Sequence, residues 1–441
     1  MNRFAFAFIT LFFAAIGAVH ASEDTPFEQV PPDKLSYWDS QRKGTNYFNQ
    51  IPQRAWFQAA HDAGIHTVRF TYEKWQSDQR DFLLGNADNY QGLVKADLKK
   101  LLTYLDVANE YDIKVVITPL SLPGARFRQS NANQNDGRLW LEGMIENSDN
   151  VDNVVSTNNT TSFLVQSKHF WKDLAGELKD HPAVIGYTLI NEPFPEKFYD
   201  KKTFWTGDYG RWYQSVKGGS GDLNRFNQQM VNAIREVDEH TPIVLESGLH
   251  ATPWAFKYLK PVDDERVIYS FHMYEPYEYT TKRINQGKFE YPGKVFIPAL
   301  EDNFDMNKVS IEQFLSPVVK WAERHSIPAN RIWASEFGVD RTMPGAAQYL
   351  SDLVEIFNQH KWHWAFYAYR EDNWNSMDYE LGKHKPYWKY WDYQQAGTLH
   401  LHYDELYKEK SNNSVWMTLK KEFTNVEASN RIKNAEHQTY K

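Results

Sequence analysis

The sequence predicts an α/β protein, a closed (β/α)8 barrel occupying one catalytic domain, and three observations lead there. Eight short runs of apolar and β-branched residues recur at 43–47, 67–71, 114–119, 183–190, 243–246, 267–272, 331–335 and 364–369. Runs that are apolar on both faces suit parallel strands covered on each side. Between them, apolar residues repeat at helical spacing over 52–63, 93–111, 162–179, 224–240, 311–325 and 346–359. No glycine-rich dinucleotide fingerprint follows any of these runs. Eight strand-helix units without that fingerprint favour the closed barrel over an open doubly wound sheet.

The elements follow in order. Arg3 precedes the apolar stretch 4–17, and Val19-His20-Ala21 is a small-x-small pattern before acidic residues, so 1–21 reads as a signal peptide cleaved after Ala21. The mature chain, 22–441, is then exported to the periplasm or the medium, with a barrel core over 40–395. Strand two carries Thr67-Val68-Arg69-Phe70, and strand four, Ala183 to Ile190, leads into Asn191-Glu192-Pro193. Strand six ends on His272-Met273-Tyr274, and strand seven leads into Glu336-Phe337-Gly338. Segments 122–161 and 276–307 follow strands three and six, which would set both over the face where barrel loops carry chemistry. After 395 the chain reads as a closing helix and a polar tail.

Composition bounds the function. In 441 residues, 41% hydrophobic content supports a sizeable core, and a net charge of -8 without a basic block argues against nucleic acid or an anionic membrane as partner. Beyond the leader no run approaches the ~18 apolar residues of a membrane span. The absence of Cys excludes disulfides and thiol chemistry. Aromatic residues make up 16% of the chain, enough to pack a core and still offer rings for stacking on sugars. No linker-like or low-complexity spacer suggests an attached module, and the protein is expected to be a monomer.

Two carboxylates at strand ends, Glu192 and Glu336, carry the chemistry. A pair of this kind is what glycoside hydrolysis needs, one protonated to assist the leaving oxygen and one ionised to attack. His400-Leu401-His402 lacks a third ligand at a recognisable spacing, and no metal or cofactor is implied.

With its four motifs in order, the chain resembles glycoside hydrolase family 5, the cellulase family within a clan of TIM-barrel retaining glycosidases. The resemblance implies that Glu192 is the acid/base, its pKa raised by the neighbouring carboxylate and by burial, and that Glu336 is the nucleophile, kept ionised by Arg69. It implies further that Asn191 donates to a sugar 2-hydroxyl and to the nucleophile, that Tyr274 donates to Glu336, and that His272 tunes the proton of Glu192. Two positions depart from the family pattern. Leu120-Ser121-Leu122-Pro123-Gly124 lacks the usual His after strand three, and the usual Trp closing strand eight is missing from Trp364-Ala365-Phe366-Tyr367. Tyr367 is the expected stand-in, with Trp364 and Trp374 as further candidates for the sugar platform. The expected activity is that of an exported retaining β-glycosidase on a β-linked polysaccharide or oligosaccharide, foremost an endo-β-1,4-glucanase. The alternatives are a β-mannanase or another β-glucan hydrolase, and, in a different class, a catalytically silent carbohydrate-binding barrel.

Overall fold

The computed structural model describes residues 33–126, 136–142, 162–199, 209–298, 301–383, 388–407 and 413–424. The expected signal peptide and most of segment 122–161 lie outside the described residues. The predicted strands form as β1 (Lys43–Tyr47), β2 (Thr67–Phe70), β3 (Lys114–Ile117), β4 (Val184–Thr188), β5 (Ile243–Glu246), β6 (Val267–Met273), β7 (Ile332–Phe337) and β8 (His363–Phe366). All pair in parallel in the order of the chain, and β1 closes the ring by pairing with both β2 and β8.

Alternation along each strand separates two apolar layers. Inside the barrel, Val116, Ile185, Val244, Ile268, Trp333 and Ala365 form one cluster, plugged by Trp38, whose indole N–H donates to the Ile185 carbonyl at 3.1 Å. The other face packs under the helices α1 (Arg54–Asp62), α2 (Lys95–Glu110), α3 (Phe163–Leu178), α4 (Leu223–Arg235), α5 (Lys308–His325) and α6 (Ala346–Gln359). Local sequence sets where several of them begin. Ser162 accepts from the Val165 N–H to cap α3, Asp222 accepts from the Asn224 N–H to cap α4, and Asn307 with Ser310 forms a capping box on α5. Each such cap is worth about 1 kcal/mol.

Two connections depart from strict alternation. Between β5 and β6 the chain makes only short turns, including a 3-10 helix at Pro253–Tyr258, held to α5 by the Trp321 indole donating to the Leu259 carbonyl at 2.7 Å. Beyond 395, Trp416, Leu419 and Phe423 are buried, and the Phe423 ring packs against Trp364 and Phe366, so a late helical segment covers the outside of β8. The 276–307 segment packs against α5 and against the chain that follows β7. Its antiparallel pair, Gly293–Ile297 with Asp302–Met306, packs Phe304 on Phe314 of α5, and Tyr279 donates to the Pro344 carbonyl at 2.9 Å.

Candidate active site

Every functional side chain stands at the carboxyl ends of the strands, where strand direction delivers the chain to the barrel mouth. Glu336 lies on β7 at a register shift: β7 pairs with β6 through Ala334 and Phe271, then through Glu336 and His272, skipping one residue. A bulge of this kind re-aims a side chain, and here it turns Glu336 into the mouth. Glu192 comes four residues after β4 ends, in a left-handed conformation with φ +49. That region is costly for a side-chain-bearing residue. It is fixed from both sides, because the Asn191 N–H donates to the Pro119 carbonyl at 2.9 Å and the Glu192 N–H to Glu246 Oε2 at 2.7 Å.

Arg69 on β2 is fully buried and holds four oxygens. Its Nη1 donates to Glu336 Oε2 at 3.0 Å and to Asn46 Oδ1 at 3.1 Å, and its Nη2 to Asn191 Oδ1 at 2.7 Å and to Glu246 Oε1 at 2.6 Å. Tyr274 donates to the other oxygen of Glu336 at 2.6 Å. His272 on β6 sets Nδ1 at 3.0 Å from Glu192 Oε1 and Nε2 at 3.3 Å from Glu246 Oε1. A carboxylate oxygen of Glu192 and one of Glu336 lie within 4.8 Å of each other, with a His272 nitrogen equally close. The second nitrogen of His272, Arg69 and Tyr274 already bond these groups, so the cluster is built for holding and sharing protons.

The expected contacts of Arg69 and Tyr274 with Glu336, and of His272 with Glu192, are all present. Asn191 gives its carboxamide oxygen to Arg69, which leaves its NH2 as the group that can meet a sugar hydroxyl. Of the three platform candidates, Tyr367 sits at the mouth with its ring 5.4 Å from Phe48 and 5.6 Å from Trp374, and Trp374 is 42% exposed. Trp364 is not brought to the mouth. It faces outward from β8, fully buried, with its indole donating to Asn358 Oδ1 at 3.2 Å. Period-two alternation explains the difference, because Trp364 and Tyr367 are an odd number of residues apart.

Charge at the two glutamates differs from expectation. Burial pushes the Glu192 carboxyl up, but hydrogen bonds from His250 and His272 and their charge outweigh it and hold Glu192 below the usual carboxylate range. Burial raises Glu336, and the charge of Glu192 adds to this against the opposing pull of His272 and Arg69. His250 and His272 together lower Glu192, and His272 is itself strongly perturbed. Burial works against its imidazolium, yet Glu246, Glu336 and Glu192 together push its pKa up to about 10.

Sequence reasoning passed over two members of the cluster. Glu246 ends Ile243-Val244-Leu245-Glu246, the same apolar-run-then-carboxylate pattern that marked Glu192 and Glu336, so the signal was present. His250 gives no such signal. It stands in a left-handed turn of three consecutive residues, Leu249, His250 and Ala251, at φ 54, 57 and 58. Glu196 braces the turn by accepting from the Leu249 N–H at 3.2 Å and from the Tyr209 hydroxyl at 2.5 Å. The His250 ring rests 4.0 Å from Phe194, and its Nδ1 is 3.5 Å from Glu192 Oε2.

The family model described as Cellulase (glycosyl hydrolase family 5) matches residues 32–373. The chain is 22% identical over 249 residues to Endoglucanase C of Acetivibrio thermocellus, taking in 49% of this chain and 62% of that protein. It is 25% identical over 226 residues to an Endoglycoceramidase of Cyanea nozakii, 48% of this chain and 35% of the relative. The chain thus spans less than two thirds of the length of these curated relatives. Among solved structures, Cel5A of Thermotoga maritima, in complex with a mannotriose substrate, aligns with a TM-score of 0.53 at 14% identity, covering 76% of this chain and 92% of that one. At that identity the likeness shows the fold.

Proposed function

Because the chain belongs to the cellulase family, glycosyl hydrolase family 5, we propose that it hydrolyses a β-linked glucan with retention at the anomeric carbon, as an exported endo-β-1,4-glucanase. One observation carries the reading: the oxygens of Glu192 and Glu336 within 4.8 Å of each other. Retaining enzymes hold their carboxyl groups about 5–5.5 Å apart, whereas inverting ones need about 6.5–9.5 Å to admit a water. Glu336, oriented by Arg69 and Tyr274, attacks the anomeric carbon while Glu192 protonates the leaving oxygen. Glu192 then takes a proton from the water that releases the sugar. Tyr367 and Trp374 offer rings on which that sugar can stack. Both glutamates are in place, which counts against a silent binding barrel. The leader pattern ending at Ala21 supports export, and N-terminal sequencing of protein recovered outside the cytoplasm tests it.

A second reading has its own support. Trp140, Pro193, Phe194 and Phe198 line the same cavity as Glu192 and His250, giving the acid/base an apolar wall beside the charged Arg126, Asp136 and Lys197. That wall suits a leaving group that is not a sugar, and one relative bears the name Endoglycoceramidase.

The deciding experiment measures sugar release from carboxymethylcellulose, barley β-glucan, xyloglucan, mannan, xylan and a glucosylated lipid, with Glu336→Gln alongside. Release from a β-glucan, lost in the variant, upholds the first reading. Release from mannan or from the lipid alone replaces the substrate, and no release from folded protein removes the enzymatic reading. Glu336→Gly with added azide should form an α-glycosyl azide from a substrate with a good leaving group, which tests the nucleophile directly.

A further inference from the structure

Glu246 has no part in the two-glutamate scheme, yet it is the most connected carboxylate in the barrel mouth. Its side chain is 1% exposed. Oε1 accepts from Arg69 Nη2 at 2.6 Å and from His272 Nε2 at 3.3 Å, and Oε2 accepts from the Glu192 backbone at 2.7 Å. One carboxylate therefore fixes the guanidinium that orients Glu336, the backbone that presents Glu192, and the imidazole between the two. A group so placed has an electrostatic consequence beyond scaffolding. Arg69 keeps Glu246 ionised against the cost of burial. An ionised Glu246 demands a hydrogen on Nε2 of His272, which leaves Nδ1 to share one proton with Glu192 Oε1 across 3.0 Å.

We propose that Glu246 is a positioning residue that makes His272 the proton store of Glu192. The inference rests on the reading of Glu192 as acid/base. In the free enzyme the shared proton is on Nδ1, and Glu192 is a carboxylate facing an imidazolium. A bound sugar excludes water, which weakens the solvation of that separated charge pair. The proton then moves from Nδ1 to Glu192 Oε1, leaving a neutral imidazole whose Nε2–H still donates to Glu246. Glu192 passes the proton to the leaving oxygen as the anomeric C–O bond breaks and a Glu336 oxygen bonds to that carbon. In the second step water attacks the same carbon, the bond to Glu336 breaks, and the proton shed by the water returns through Glu192 to Nδ1. Protons and electron pairs balance over the cycle, and no co-reactant is required.

The charged groups facing His272 are Glu192 after β4, Glu246 on β5 and Glu336 on β7, with Arg69 on β2 reaching it through Glu246. His250 faces Glu192 from the turn after β5, and Tyr274 faces Glu336. Of these, Glu246 alone touches both Nε2 of His272 and the backbone of Glu192.

The test reads His272 directly. In isotope-edited NMR of the intact protein, with His272→Gln identifying the signals, both ring nitrogens should carry hydrogen across about pH 5 to 8. A neutral His272 in that range overturns the proposal without any variant of Glu246. Glu246→Gln should convert the ring to the neutral form. It should also lower the basic limb of the rate profile by about one pH unit or more, with a larger loss of kcat on substrates with poor leaving groups than on aryl glycosides with good ones. Glu246→Asp, which retains the charge, should restore the imidazolium. Equal losses on both substrate types, with His272 unchanged, would reduce Glu246 to a structural role. The NMR readout needs no turnover, so a protein inactive on every substrate but holding a cationic His272 would sink the proposed function and leave the charge arrangement standing.

Discussion

Tyr274 donates its phenol hydrogen to Oε1 of Glu336 at 2.6 Å, while Arg69 holds Oε2 of the same carboxylate at 3.0 Å. The two donors occupy both oxygens and leave the carboxylate little rotational freedom. A hydrogen bond to a charged group is worth about 1.5–3 kcal/mol. Tyr274→Phe should therefore lower kcat/KM by about 10- to 100-fold. Losing a donor to the ionised form raises the Glu336 pKa, so the acidic limb of the rate profile should move to higher pH. An unmoved limb would mean that Tyr274 only packs.

Arg69 bridges two buried carboxylates, Glu246 and Glu336. Arg69→Met would leave both without it. Removing one partner from a buried ion pair costs about 3–5 kcal/mol, and urea unfolding should show a loss of at least that size together with abolished turnover. Full stability in the variant would count against the guanidinium as the centre of the mouth.

Trp364 and Trp374 should separate cleanly. Trp364→Ala empties a closed site between β8 and the outer helical layer and should cost about 3–5 kcal/mol in stability. Trp374→Ala, on an exposed rim residue, should leave the melting temperature nearly unchanged. An aromatic contact of about 1 kcal/mol corresponds to roughly a five-fold rise in KM for the preferred substrate. A KM effect from Trp364→Ala with native stability would reverse the assignment.

Glu73 predicts a pH dependence of folding. It is buried, and its Oε1 accepts from the Leu120 and Ser121 N–H groups at 3.0 Å each, which clamps the loop after β3. Burial pushes its pKa up from 4.5 to about 8 against the lowering effect of those donors. A carboxyl whose folded pKa lies above its unfolded value contributes stability that is fully present below about pH 4.5 and is lost as pH rises through about 8. The melting temperature should fall over that window, and Glu73→Gln should flatten the decline. An unchanged slope in the variant would assign the loss to another group.

Much of this molecule was legible in its amino acids. Barrel strands are short, doubly buried runs, so their apolar character is written locally, and all eight form within a few residues of where the pattern put them. The capping residues Ser162, Asp222 and Asn307 are equally local. Glu192, Glu336, Arg69, His272 and Tyr274 each follow or end a strand, and closure of the barrel was enough to bring them together. Glu246 met the same rule but went unused, because nothing local distinguishes a strand-end carboxylate that reaches its neighbours from one that meets solvent.

Other features belong to the tertiary structure alone. Sending Tyr367 into the mouth and Trp364 out under the late helix depends on the register of β8 between its neighbours. The left-handed turn that brings His250 to Glu192 depends on Glu196 and Tyr209 bracing it from distant segments. The charge on Glu192 depends most on distance, for the approach of His250 and of His272, the latter with three carboxylates converging on its imidazole, reverses the expected proton distribution. The sequence by itself determined which elements form and which chemical groups stand at their ends, since hydrogen-bonding pattern and apolar periodicity act between near neighbours. Only the tertiary structure decided which of those groups share a proton, because Coulomb and desolvation energies depend on separations of a few ångströms between residues far apart in the chain.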